Sequence, residues 1–243
     1  MPMNSLWLVT YDVDERGDSD MDSMLLKQAL IKFFAGLLIV GLLLFIPAGT
    51  FSYWQAWLLI GILFVPMFIA GLIMMKKSPD LLRKRLNVKE EQKEQKKVIL
   101  LSGMMFLASF IVAGLNFRFK WVVLSDWVSY AAAAVFLIAY VLYAEVLREN
   151  AYLSRTVEVQ ENQKVIDTGL YGIVRHPMYM ITLLLFLSMP LVLGSVISFV
   201  ITLLYIPIIN KRIRNEEQML EKGLDGYTEY EKRVRYRVIP YVW

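Results

Sequence analysis

An all-α bundle that crosses a membrane several times is the fold this sequence predicts, and three observations carry the prediction. Hydrophobic residues make up 57% of the chain and mean hydropathy is +0.49, well above an ordinary soluble domain. Four separate stretches reach or approach the roughly 20 apolar residues that cross a bilayer. A further apolar block, Pro177 to Ile209, is too long for one ordinary span and is broken by Pro190 and Gly194-Ser195. It reads as a hairpin of two short helices. The expected architecture is therefore a polytopic membrane bundle of four spans plus a C-terminal two-helix hairpin, followed by an amphipathic C-terminal helix.

The elements follow in order. Residues 1–27 read as a flexible acidic tail with Asp12, Asp14, Glu15, Asp18, Asp20 and Asp22. Their spacing does not match a calcium-binding EF-hand loop, and the stretch lacks the basic start and short apolar core of a signal peptide. The first span is expected over Leu30–Pro47 and the second over Trp54–Met75, joined by a turn at Gly49-Thr50. A charged segment, Lys76–Lys97, reads as a solvated loop or helix whose basic residues also attract anionic lipid headgroups. Spans three and four are expected at Val98–Phe117 and Trp127–Leu147, completing a membrane region over 28–147. Residues 148–243 then form a unit containing a polar stretch, the hairpin at 177–209 and a charged tail.

Charge placement predicts orientation. Of 26 lysines and arginines, only Arg118 and Lys120 fall in loops on one side; the others lie at the opposite ends of the spans. By the positive-inside rule both termini, the Arg175-His176 pair and the C-terminal tail are expected to be cytoplasmic. The hairpin is part of this reading, because a single crossing at 177–209 would put the pair and the tail on opposite sides.

Composition also excludes chemistry. With no cysteine and one histidine, thiolate and multi-histidine metal centres, a cysteine nucleophile and disulfides are ruled out. No metal and no nucleic-acid partner is expected. Gly169-x-x-Gly172 and Gly223-x-x-Gly226 are not the Gly-x-Gly-x-x-Gly fingerprint and follow no strand, which argues against a Rossmann-type nucleotide site.

The one histidine sits in Arg175-His176-Pro177-Met178-Tyr179. Proline suits the first helical position and biases its predecessor away from helical geometry, so a helix is expected to start at Pro177 with Arg175 and His176 at its lip. Free backbone N–H groups, a guanidinium and an imidazole together suit an anion. Taken singly, His176 also fits an interfacial histidine, Glu216-Glu217 a solvated acidic pair among Lys211, Arg212 and Arg214, and Tyr227 with Tyr230 an aromatic anchor on one helix face.

Taken together, these blocks resemble the isoprenylcysteine carboxyl methyltransferase family and its relatives among the membrane phospholipid N-methyltransferases. The family pattern appears as Thr168-Gly169-Leu170-Tyr171 running to Arg175-His176-Pro177-Met178-Tyr179, then a hairpin, then Glu216-Glu217-Gln218-Met219-Leu220, Tyr227-Thr228-Glu229-Tyr230 and Arg237-Val238-Ile239-Pro240. The likeness extends from Asp167 to the C-terminus. It implies an S-adenosylmethionine-dependent methyltransferase acting at the cytoplasmic face on a lipidic or small hydrophobic acceptor, with surrounding membrane lipids as its other partner. The resemblance implies that Tyr171, Val174, His176, Pro177 and Tyr179 line the cofactor, Glu216 or Glu217 faces its polar groups, and Leu220, Tyr227 and Tyr230 pack about its adenosine. It makes Arg175 and Arg237 substrate-side contacts; for an acceptor that needs a base, Glu217 or His176 are the available groups. Many members carry glycine two residues after the second motif tyrosine, where this chain has Ile181. A carboxylate acceptor is ionised without help and needs only a cation to orient it, whereas an amine requires a base. A sterol-type reductase using NADPH and a non-enzymatic membrane protein are the competing classes.

Overall fold

The computed structural model describes residues 6–86, 93–150, 152 and 163–243, with side chains from residue 23 onward except 84, 93 and 94. Residues 87–92 of the charged segment, most of 151–162 and the acidic side chains before Ser23 lie outside the described residues. The described chain is helical with no strand: α1 (Leu6–Ala48), α2 (Trp54–Lys77), α3 (Pro79–Leu86), α4 (Lys93–Phe119), α5 (Asp126–Glu149), α6 (Pro177–Val192), α7 (Val196–Thr202), α8 (Tyr205–Gly223) and α9 (Tyr227–Arg233). Among the described residues five stretches are long and apolar enough to cross a membrane: Ser23–Ala48, Trp54–Lys77, Gln95–Phe119, Asp126–Glu149 and Val196–Gly223, with Pro177–Val192 a shorter apolar helix. The chain is an integral membrane protein, and the bundle matches the four spans and hairpin expected from hydropathy.

Two elements differ from expectation. The first helix begins at Leu6, so the acidic stretch read as a flexible tail continues the backbone of the first span; the one glycine in it, Gly17, does not interrupt the helix. The returning arm of the hairpin does not stop at Ile209. It bends at Leu203-Leu204 and continues as α8 to Gly223, so Glu216 and Glu217 ride on the hairpin itself rather than on a later helix.

Each pairing of helices has a local cause. Gly114 lets α4 approach α1 so closely that a Cβ there would lie 2.7 Å from the Leu44 carbonyl oxygen. Next to this contact, Ser198 donates its hydroxyl to the Ser109 carbonyl at 2.8 Å and Thr202 Oγ1 lies 3.1 Å from Ser109 Oγ, tying α7 to α4. Small residues and hydroxyl bonds of this kind join helices where apolar lipid provides no hydrophobic drive. The Tyr53 hydroxyl donates to the Leu193 carbonyl at 2.6 Å and fixes the hairpin turn beneath the α1–α2 loop. Gly194, at φ +69, makes that turn. Ile181, in place of the family glycine, is fully buried in the core with Phe136, Leu185 and Met189, so its side chain fills space between the helices.

The loops 49–53, 120–125 and 193–195 gather at one end of the bundle, as the Tyr53–Leu193 bond and the Asn116 bonds to Val122 show. At the other end lie α3, the 163–176 segment, α9 and the C-terminal segment. That second end carries the polar chemistry.

Candidate functional site

His176 caps the N-terminus of α6, with Pro177 in the first turn. Just before it, Gly169 adopts φ +52 and opens a 3-10 turn, Gly169–Gly172, that turns the chain toward the helix. The lip is then clamped by the C-terminal segment. Arg175 N–H donates to the Tyr236 carbonyl at 2.9 Å and His176 N–H to the Arg237 carbonyl at 2.8 Å.

Glu217, only 2% exposed, is the centre of the clamp. Its Oε1 accepts from Arg175 Nε at 2.9 Å and Nη2 at 2.7 Å, and lies 3.2 Å from His176 Nε2. Arg237 Nε stands 2.8 Å from Oε2, an ion contact in which the N–H does not point at the oxygen. Arg175 Nη1 donates to the carbonyls of Val234 (2.9 Å) and Arg235 (3.1 Å), and Nη2 also meets Glu231 Oε1 at 2.9 Å. Four of the five guanidinium N–H groups are thus hydrogen-bonded to protein acceptors, and Glu231 meets the group as an ion contact. Burial works against the Arg175 charge, but Glu217 and Glu231 outweigh it and keep the group firmly protonated.

A large cavity of about 1390 Å³ adjoins this clamp. Of the expected site residues, Tyr171, Arg175, His176, Pro177, Tyr179, Glu216, Leu220, Tyr227 and Tyr230 line it. Glu217, Arg237 and Val174 are not among the lining residues. Val174 is buried behind the wall, and Arg237 faces a separate recess beside Thr228, Lys232 and Tyr236. Arg175 reaches the wall while its guanidinium holds Glu217 and the Val234 and Arg235 carbonyls. These contacts give Arg175, Glu217 and Arg237 a positioning part, holding α6, α8 and the C-terminal segment together.

The wall itself has a polar half. The Tyr179 hydroxyl donates to Glu216 Oε2 and accepts from Arg212 Nε at 3.0 Å, and its ring stacks on His176 with centroids 5.6 Å apart. Tyr230 donates to the Tyr171 carbonyl at 2.8 Å, and the Tyr171 hydroxyl accepts from Asn150 Nδ2 at 2.9 Å. Burial pushes the Tyr171 phenol up to about 12, with the Asn150 bond working against the shift. Tyr227 is 4% exposed, and its hydroxyl has no hydrogen-bond partner in the protein. A buried hydroxyl left unpaired costs on the order of 1–3 kcal/mol, and this one belongs to a residue of the cavity wall. Burial also raises the phenols of Tyr227 and Tyr230, so both remain protonated. They can donate hydrogen bonds but cannot serve as bases.

The remaining wall is apolar and deep. Phe33 of α1, Leu63, Pro66 and Met74 of α2, Phe136 and Tyr140 of α5 and Leu185 of α6 line it. Ile69 and Ile73 on α2 and Val141 on α5 line the same space yet are 50–71% exposed, so the chamber opens sideways between these helices. Pro66 contributes no backbone N–H to α2 at this point.

The sequence reasoning missed Arg212 and Glu231. Arg212 lies one turn before Glu216 and Glu231 one turn after Tyr227, so an i,i+4 search from the motif residues would have found both.

Residues 127–225 match the model of the phospholipid methyltransferase family, the membrane methyltransferases that the motif blocks resemble. A Delta(14)-sterol reductase of Mus musculus is 33% identical over 91 residues, which is 36% of this chain and 22% of that protein. The chain thus spans about a fifth of the length of that curated relative.

Proposed function

We propose that this chain, whose residues 127–225 carry the phospholipid methyltransferase match, transfers a methyl group from S-adenosylmethionine to an amphiphile that enters from the bilayer. The observation that carries the reading is the shape of the cavity. One space of about 1390 Å³ joins a polar, aromatic end to an apolar chamber open toward the lipid. Single-ligand pockets usually measure roughly 300–1,000 Å³, so this larger space has room for a cofactor and an acceptor side by side.

The polar end fits the cofactor. Tyr227, Tyr230, Leu220 and Val165 offer a flat apolar and aromatic wall suited to adenine, and the free Tyr227 hydroxyl offers a hydrogen bond to its polar edge. Glu216 offers a carboxylate for hydroxyl or amino donors. When bound, S-adenosylmethionine supplies a methyl group already activated by the positive charge on sulfur. The protein's task is then alignment and exclusion of water. The clamp on Glu217 keeps the C-terminal segment over the lip, and the apolar chamber holds the acceptor chain so that its reactive end meets the polar half. Carboxyl O-methylation is the favoured version, since an ionised carboxylate needs no base and the buried phenols cannot provide one. If the acceptor is an amine, Glu216 is the lining carboxylate in reach of its proton. Cytoplasmic orientation of this end follows from the lysine and arginine count.

A second reading has its own support. The sterol reductase relative raises a hydride-transferring enzyme that uses NADPH in the same cavity. Isothermal titration of S-adenosylhomocysteine and of NADPH into the detergent-purified chain separates the two. We expect S-adenosylhomocysteine to bind and Glu216→Gln to weaken it at least tenfold. Binding of NADPH alone would replace methyl transfer with reduction, and binding of neither to the folded chain would leave a non-enzymatic protein.

A further inference from the structure

The C-terminal segment carries a second recess, of about 790 Å³, separated from the large cavity by Arg175, which borders both. Thr228, Glu231 and Lys232 of α9 line it, with Arg235, Arg237 and Trp243 of the segment that follows. Methyl transfer in the large cavity makes no use of this space.

Its charges fall into two sets. Arg175 Nη2 and Glu231 Oε1 meet at 2.9 Å, and Arg237 stands against Glu217. Lys232 and Arg235 are the other set. Both are exposed, and among the described residues neither side chain has a hydrogen-bond or ion-pair partner. The Arg235 carbonyl accepts from Arg175 Nη1 at 3.1 Å, so the backbone is fixed where the guanidinium is unengaged. The backbone oxygen of Trp243 is taken by the N–H groups of Val238 and Ile239, each at 2.9 Å. A guanidinium and an ammonium on one recess, with the Thr228 hydroxyl alongside, offer charged donors that suit the oxygens of a phosphate.

The recess also stands where the protein surface turns from water to lipid. Trp243 packs on the cluster of Ile209 and Ile213 of α8, within the stretch Val196–Gly223 that is apolar enough to cross the membrane. Beside it, Tyr241 and Val242 are 87% and 79% exposed. Exposed apolar and aromatic side chains next to unpaired cations suit the headgroup layer, where rings meet the acyl boundary and basic residues meet phosphate. A soluble anion would engage the cations alone and leave Tyr241 and Val242 in water.

We propose that this recess binds the phosphate of an anionic membrane lipid, with Lys232 and Arg235 as its cations and Tyr241 and Val242 against the lipid's upper chains. The site holds the C-terminal segment to the membrane over the lip, and it does not depend on what fills the large cavity.

The test uses the full chain in dodecyl maltoside micelles at low salt, titrated calorimetrically with dihexanoyl phosphatidylglycerol, dihexanoyl phosphatidylcholine and inorganic phosphate. Phosphatidylglycerol should bind at least fivefold more tightly than phosphatidylcholine and at least tenfold more tightly than inorganic phosphate. Lys232→Gln and Arg235→Gln should each reduce the preference for phosphatidylglycerol at least threefold, and the double variant should abolish it. Both side chains are exposed and unpaired, so melting by circular dichroism should match wild type. Lys222→Gln removes one exposed charge from α8 outside the recess and should leave the preference unchanged. A preference that survives the double variant, or falls equally in Lys222→Gln, overturns the site. Inorganic phosphate binding as tightly as phosphatidylglycerol overturns the lipid and puts a soluble anion in its place.

Discussion

At the scale of single residues, two buried groups with opposite degrees of satisfaction make opposite predictions. The Tyr227 hydroxyl is buried and unpaired, so Tyr227→Phe removes a desolvated group without breaking a bond. Its melting temperature should be unchanged or higher by circular dichroism, while affinity for S-adenosylhomocysteine falls about tenfold, the worth of one hydrogen bond of roughly 1.4 kcal/mol. Arg175 is the reverse case. Arg175→Gln leaves Glu217 and Glu231 short of their shared cation, and breaking a buried pair costs about 3–5 kcal/mol. Arg175→Lys restores charge but not the five-donor fork, and it too should melt well below wild type. A stable Arg175→Gln protein that had lost only turnover would refute the positioning role. The sequence made the Arg-His-Pro lip visible, because proline before an apolar run has few other meanings. It did not reveal how Arg175 is held, since that depends on carbonyls some sixty residues away that no local pattern encodes.

At the scale of helices, the contact of α1 with α4 depends on a missing side chain. Gly114→Leu would drive a Cβ to 2.7 Å from the Leu44 carbonyl and should separate the helices, lowering the melting temperature markedly. Tyr53→Phe loses the bond to Leu193 and should cost about 1 kcal/mol. Hydropathy found the spans because membrane helices must be apolar over a fixed length, and each break carried its own proline, glycine or charge. The end of α8 was hidden for the same reason. Beyond Ile209 the helix leaves apolar composition while remaining a helix, with Ile213 and Glu217 buried and Arg214 exposed. Hydropathy reports where lipid would be, not where the helix stops.

At the scale of the molecule, the motif blocks converge because the hairpin returns α8 beside the lip and the C-terminal segment crosses over it. Truncation after Arg233 removes the carbonyls that hold Arg175 and the chain that pairs with 175–176. Helical content by circular dichroism should persist, because the spans do not depend on that segment, while S-adenosylhomocysteine binding disappears. Retained binding would show that the clamp is dispensable. The order and spacing of the blocks pointed to their convergence, whereas the chamber beside them depends on how α1, α2 and α5 pack, which one sequence does not express.

The shortness of α6 bears on where the reaction takes place. Its 16 residues rise about 24 Å, whereas the 24 residues of α2 and of α5 each rise about 36 Å. Their far ends are level, since Tyr53 bonds to Leu193 and Ser129 to Leu191. The lip at Pro177 is therefore recessed by about 12 Å from the tops of its neighbours. An acceptor need not be drawn out of the lipid to be used, which would cost about 0.8 kcal/mol for every methylene exposed to water. Bilayer thickness then becomes a control variable: a thinner membrane brings the headgroup plane nearer the lip, and a thicker one buries the lip beneath hydrocarbon.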